Sequence, residues 1–260
     1  MPSQPREMSA SEILSLAQQE RVRFITLQFT DIVGHVKSVT VPLSQLEDAI
    51  SHGKWFDGSS VEGFARIAES DMYLKPDLST FAVLPWTREG NVTARLISWV
   101  YTPKGEPFGG DPRQVLNKVC QEAAELGFQF NTGPELEFFL LVPDDSGKVT
   151  PLPHDRGTYF DLSTDLASEV RKEMVNALEE VGIEVETDHH EVAMGQHEID
   201  FRYGHAIHTA DNAVTFKYTL KAIAQRHGLH ATFMPKPIFG INGSGMHCHQ
   251  SLAYLKDGSN

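Results

Sequence analysis

Apolar residues recur along this chain with two different periods, and the change from one to the other divides it. Near the start, Ser9 and Glu12 have the spacing of a capping box. Ile13, Leu16 and Ala17 fall on one face behind it, so a short helix is expected over 9–20. Two strand-like runs, 22–29 and 35–41, then flank Asp31-Ile32-Val33-Gly34, whose glycine suits the tight point of a hairpin. Another strand is expected over 95–101, in a stretch punctuated by Pro85, Pro103 and Pro107. Phe108-Gly109-Gly110-Asp111-Pro112 combines loose backbone with a helix cap and a proline suited to the first helical position. A domain boundary is expected there, with residues 1–108 in one unit and 109–260 in the next.

Beyond the boundary, helical and strand patterns alternate. A helix is expected over 113–126, with Val115, Leu116, Val119 and Ala123 on a stripe and Gly127 as its stop. A second carries Val170, Met174, Ala177, Leu178 and Val181 up to Gly182, and a third carries Ala213, Phe216, Leu220 and Ile223 up to Gly228. Strand runs at 136–142, 183–187, 196–203, 229–234 and 246–255 lie between and after them. The pattern reads as a small, mainly β unit followed by a larger mixed one.

Composition narrows the chemistry. With 40% hydrophobic and 22% charged residues the 260-residue chain has the make-up of a globular protein. Its formal charge of −13 argues against nucleic acid and anionic membrane as partners, since both need clustered Lys and Arg. An acidic protein that handles anionic substrates needs a local cation, and a metal ion is the direct way to supply one. The two cysteines, Cys120 and Cys248, form no disulfide framework, and the first ten residues lack the apolar core of a signal peptide. A cytoplasmic protein is expected.

Three segments carry candidate chemistry. In 133–139, strand alternation puts Glu135 and Glu137 on one face, roughly 6.6 Å apart. Two like charges so placed are costly unless a cation lies between them or the face is wet. In 189–198, Glu191 and Glu198 flank a glycine-containing turn, and Asp200 follows in the alternating run. Met194 stands where a zinc-protease helix would need its second histidine, so that motif fails. Oxygen-rich donors of this kind suit Mg2+ or Mn2+ rather than zinc. In 236–249, the glycines from Gly240 to Gly245 lack the Lys-Ser/Thr of a phosphate-binding P-loop, and a strand rather than a helix follows. What remains is a loop that lets a ligand approach the backbone, followed by His247 and His249 pointing one way. Cys248 points the other way and is expected in the core.

Phe56-Asp57-Gly58-Ser59-Ser60 and the segments 133–139, 189–201 and 236–249, in this order and spacing, resemble type I glutamine synthetases. The resemblance covers nearly the whole chain and is nearest to the Gram-positive-like branch, which carries an arginine where Arg66 stands. It implies an α+β fold, with a small N-terminal β-grasp-like domain over 1–108. The first part of a glutamine synthetase α/β catalytic domain follows over 109–260, its barrel unclosed because family members continue further. It also implies ATP-dependent joining of ammonium to L-glutamate, with two Mg2+ or Mn2+ ions per site. The assembly implied is a homo-oligomeric ring with active sites between subunits.

Position by position, the resemblance assigns one metal to Glu137, Glu191 and Glu198, and the other to Glu135 and His247. Glu186, His249 and Ser251 match ATP contacts, and Asn242 and Gly243 match glutamate contacts. Asp57 matches a residue that reaches the neighbouring subunit's ammonium, and Arg66 a position of feedback inhibition by glutamine. The family's remaining substrate-binding arginines and its last metal-binding glutamate fall beyond residue 260. Residues 1–260 alone are therefore expected to be inactive. A γ-glutamyl-polyamine ligase of the same fold, or a truncated paralogue without turnover, are the alternative readings.

Overall fold

The structure, a computed structural model, describes residues 8–59, 61 and 71–259. Helix α1 (Ala10–Gln19) starts on the expected capping box: the Ser9 hydroxyl accepts from the Glu12 N–H, and the Glu12 carboxylate accepts from the Ser9 N–H. Strands β1 (Phe24–Thr30) and β2 (Val36–Pro42) form the hairpin. Its turn is held by buried Asp31, whose Oδ1 accepts from the Val33 and His35 N–H groups while Lys37 lies 3.3 Å from Oδ2. Helix α2 (Leu46–His52) ends at Gly53, where φ is +75° and a Cβ would stand 2.8 Å from the Tyr73 ring. Strands β3 (Lys54–Asp57), β4 (Asp71–Pro76), β5 (Ala82–Val83) and β6 (Thr93–Tyr101) complete a sheet ordered β2-β1-β6-β4-β3, with β5 on β6. The β1–β6 pair is parallel and the others antiparallel, giving the β-grasp-like first unit. Ile25, Leu27, Leu74 and Leu96 form its core with Ile13, Ala17 and Leu46 from the helices.

The second unit is organised by one long strand. After α3 (Pro112–Glu125), strand β7 (Phe128–Pro143) runs for 16 residues. It is followed by β8 (Val149–Pro153), α4 (Ser168–Glu180), β9 (Val185–His190), β10 (Gln196–Phe201) and β11 (Gly204–His205), then α5 (Ala206–Arg226), β12 (His230–Thr232) and β13 (Met246–Tyr254). Five strands pair antiparallel with β7: β8, β10 and β11 along one edge, β12 and β13 along the other. Leu136, Phe138 and Leu140 point from β7 into a core shared with Ile199, Met174, Leu178, Phe216 and Leu220. Each such side chain, fully buried, stabilises the fold by about 1.5–3 kcal/mol. On the opposite face, Phe139 and Leu141 lie beneath Ile238 and Ile241 of the loop before β13. The other half of that face is polar.

Two expectations are corrected. The α3 stripe is rotated: Val115 and Val119 are exposed, and Cys120 is the helix's buried residue. Arg113, placed one turn before Leu116, sets that rotation by facing the first sheet and α5. Cys248 is exposed rather than in the core, on a β13 whose residues are mostly accessible among those described.

The two units are latched by charge. Arg113 donates from Nε and Nη2 to Asp211 of α5, at 2.9 and 2.7 Å, and from Nη2 to Asp77 of the first unit at 2.8 Å. Its guanidinium lies 3.7 Å from the centre of the Trp99 ring. Asp111 caps α3 through the Arg113 N–H and also accepts from the Val100 N–H of β6. Removing the cation from such a buried group leaves two carboxylates uncompensated. Arg113→Met should therefore lower stability by about 3–5 kcal/mol in urea unfolding. Arg113→Lys, which keeps the charge but loses the fork, should fall between the variant and the parent.

Candidate metal centre

Strand register builds the site. Glu137 of β7 is directly opposite Glu198 of β10, and Glu198 is opposite His189 of β9. The next row is Thr187, Asp200, Glu135 and His247, and after it Gly133 is opposite His249. Residues directly opposite in an antiparallel sheet share a face and stand about 4.5–5.5 Å apart. Four strands therefore deliver four carboxylates and three imidazoles to one face. The His249 Nε2 is 2.9 Å and the His247 Nδ1 3.4 Å from the two Glu135 oxygens. His189 lies between Glu191 and Glu198, at 3.8 and 3.6 Å.

Crowding of negative charge is visible in Glu198. Burial, the neighbouring Asp200, a hydrogen bond with Glu191 and the Glu137 charge push its pKa up to about 8. That donor set, mainly carboxylate with imidazole at one side, fits a hard divalent cation. Space for one is kept by Gly245, where an added Cβ would stand 2.9 Å from Glu137 Oε1 and 3.5 Å from His247 Nε2. The other Glu137 oxygen accepts from Gln196 Nε2 at 2.7 Å. Glu191 sits on the β9–β10 turn and its Oε2 accepts from the Val192 N–H.

A second group of metal-type side chains is buried on the other side of the sheet: His190 of β9 and His197 of β10, with Asp155 from the loop after β8. Hydrogen bonding speaks against a metal there. His190 Nδ1 is 2.6 Å from the Glu191 carbonyl and Nε2 is 2.9 Å from Asp155, so both nitrogens carry protons. Burial opposes that charge, but these two hydrogen bonds outweigh it and raise the His190 pKa. His197 accepts from Arg171 through Nδ1 at 3.1 Å, which places its proton on Nε2. Burial and the Arg171 charge hold its pKa near 3, so it is neutral. Neither imidazole has a lone pair to offer. The group is a buried ion network that ties Asp155 to His190 and to the Gly195 N–H at 2.9 Å, bracing both ends of the turn that carries Glu191.

The structure brings Glu135, Glu137, Glu191, Glu198 and His247 to this region, with His249 beside them. Ser251 follows on the same face of β13, opposite Asn131. Asn242 and Gly243 lie in the adjoining loop, where a Cβ on Gly243 would fall 2.2 Å from the Pro235 carbonyl oxygen. Glu186 stands apart, exposed at the bulge where β9 meets the end of β10. Asp57 belongs to the first sheet, at the end of β3, where it accepts from the Ser59 N–H. Arg66 lies outside the described residues. Sequence reasoning gave no role to His189, Asp200 or Gln196. The i, i+2 spacing of Gln196, Glu198 and Asp200 was the available signal. A cleft of about 960 Å3 lies elsewhere, at the seam around Arg113, and none of its lining residues belongs to the carboxylate face.

A β-grasp-like sheet latched to a larger, partly curled sheet with a carboxylate-lined face defines a two-domain α+β protein with a centre suited to hard cations. Comparison with known proteins names the family. The model of the glutamine synthetase catalytic domain matches residues 109–260, and that of the glutamine synthetase β-grasp domain matches 21–103. The chain belongs to the glutamine synthetase family. It is 55% identical over 250 residues to a glutamine synthetase of Clostridium saccharobutylicum, covering 96% of this chain and 56% of the relative. It is 53% identical over 249 residues to one from Staphylococcus aureus strain MW2, covering 95% and 56%. The chain thus spans 56% of the length of these curated relatives. Among solved structures, a GmaS–ADP complex superposes with a TM-score of 0.84 at 31% identity, covering 94% of this chain and 56% of that one. The Plasmodium falciparum glutamine synthetase shares the fold, with a TM-score of 0.83 at 24% identity and coverage of 98% and 56%. Among the described residues no helix is long and apolar enough to cross a membrane.

Glu198 keeps its proton in the folded, metal-free chain up to about pH 8, against an ordinary value of 4.5. Folding therefore takes up a proton between those limits, and metal-free stability falls as pH rises through them. Glu198→Gln should flatten this slope. Urea midpoints at pH 5 and pH 8 that drop equally in both proteins would contradict the assignment.

Proposed function

We propose that this chain serves the ATP-dependent joining of ammonia to L-glutamate, and that its carboxylate face holds two divalent cations, Mg2+ or Mn2+. The observation that carries this reading is the cross-strand pairing of Glu137 with Glu198 and of Glu135 with His247. Glu137, Glu191 and Glu198 would hold one ion, and Glu135 with His247 the other. When bound, the ions neutralise phosphate charge that would otherwise repel an incoming carboxylate.

The reaction itself is a two-step exchange of bonds. An oxygen of the glutamate γ-carboxylate bonds to the γ-phosphorus of ATP as the bond to the bridging oxygen breaks, releasing ADP. Ammonium then gives up a proton, the nitrogen of the resulting ammonia bonds to the γ-carbonyl carbon, and the bond from that carbon to the phosphate oxygen breaks, inorganic phosphate leaving with the second proton that the nitrogen sheds. Asn242 and Gly243 contact glutamate from the loop before β13. Gly243 is suited to that place because its backbone is packed against Pro235 so closely that no side chain fits. His249 and Ser251 continue along the face of β13 toward ATP, with Glu186 at the far end of β9. Asp57, carried by the first sheet, receives the ammonium proton in the site of a neighbouring subunit. That role requires a homo-oligomeric ring, in which Arg66 serves glutamine feedback. Both cysteines being free agrees with a cytoplasmic setting. Residues 1–108 and 109–260 are the two domains of this reading.

Glu137→Ala should weaken Mn2+ binding at least about tenfold in an electron paramagnetic resonance titration. Unchanged affinity in folded protein would remove the metal assignment. Glutamate- and ammonium-dependent ADP release by the native gene product tests the reaction, and its failure with metal binding intact would leave a binding subunit without turnover.

A further inference from the structure

Gln196 is among the most enclosed polar residues of the second unit, 1% exposed at the start of β10. Its side-chain oxygen accepts from the Ala193 N–H at 3.1 Å, inside the turn that carries Glu191. Its Nε2 donates one hydrogen to Glu137 Oε2 at 2.7 Å and the other to the Gly243 carbonyl at 3.0 Å. The orientation of the amide is fixed by its partners: an N–H needs the oxygen, and a carboxylate and a carbonyl need the two N–H groups. Three separate segments therefore meet on one amide: the 191–195 turn, the centre of β7 and the loop before β13.

Structure alone does not require this arrangement. A glutamine serving only to satisfy buried backbone would need no partner beyond the Ala193 N–H and the Gly243 carbonyl, whereas here a further hydrogen goes to an acidic side chain on the carboxylate face. Holding Oε2 leaves Oε1 directed toward the gap that Gly245 keeps clear. Because the second hydrogen holds Gly243, the loop cannot shift without disturbing the group that orients Glu137.

We propose that Gln196 is a positioning residue. It fixes the Glu137 carboxylate with one oxygen presented for a cation, and it couples that carboxylate to the loop at Gly243. This inference rests on the assignment of Glu137 to a metal.

The test uses the 260-residue chain and Mn2+ alone as the probe, with four proteins: the parent, Gln196→Met, Glu137→Ala and the double variant. Methionine keeps the length and bulk of the side chain and removes both its donor and its acceptor. Gln196→Met should weaken Mn2+ affinity about 10–100-fold, the range for loss of a group that orients a metal ligand. It should cause no further loss in the Glu137→Ala background. Hydrogen exchange over 240–246 should slow when Mn2+ binds the parent and stay unchanged in Gln196→Met. Parent-like affinity in folded Gln196→Met overturns the proposal, and so does an equal loss in both backgrounds, which marks a purely structural role. Glu137→Ala with parent-like affinity overturns the metal assignment beneath it, a different result. Should circular dichroism show that the methionine variant does not fold, Gln196→Asn, which keeps a buried amide but shortens its reach, gives the same readings.

Discussion

A single strand that must hydrogen-bond along both edges while presenting unlike chemistry on its two faces sets the terms for the second unit. Each residue of β7 that meets β10 or β13 has its backbone committed, so its side chain has only one direction left to it. On one face Leu136, Phe138 and Leu140 bury against the helices. On the other, Glu135 and Glu137 are followed immediately by Phe139 and Leu141. The apolar end of that face is covered by the loop around Ile238 and Ile241, and this brings Gly243 and Gly245 beside Glu137. The acidic centre is thus the uncovered half of a face whose other half anchors its lid-like neighbour. Moving the register by one residue would exchange carboxylates for phenylalanine in the core.

Charge is handled differently on the two faces. On the carboxylate side the negative groups outnumber their partners, and Glu198 responds by holding a proton. On the core side Asp155, Asp165, Arg171, His190 and His197 are linked by hydrogen bonds, with Arg171 donating to Asp165 and Asp188 as well as to His197, while Asp155 Oδ2 and His197 Nε2 are left without a partner among the described residues. A backbone strand only a few ångströms thick separates an ion network that is closed from one that is open to a cation. The closed network braces the turn that the open one uses, through the Glu191 carbonyl and the Gly195 N–H.

Much of this was legible in the amino-acid sequence. Alternation alone put Glu135 and Glu137 on one side of their strand and His247 and His249 on one side of theirs, because a period of two needs no knowledge of partners. The capping box at Ser9, the Asp31–Gly34 hairpin and the cap at Asp111 were equally local. Register was not local, and the pairing of Glu198 with Glu137 depends on it. The first half of β7 was missed because Gln129, Asn131 and Gly133-Pro134 look like loop residues. Pairing with β13 across that whole stretch keeps it extended. Gln196 escaped notice for a related reason: its three partners come from 3, 47 and 59 residues away.

The exposed thiol of Cys248 has a practical meaning. Cys120 is buried and its pKa is raised by that burial, so a thiol reagent will meet one accessible cysteine in the folded chain. That cysteine sits between His247 and His249 but faces away from them. A fluorophore or spin label attached there would lie on the reverse of the strand that carries the two imidazoles. The wild-type sequence comes with its own reporter position, and changes behind the carboxylate face can be followed optically in protein that has not been mutated at all.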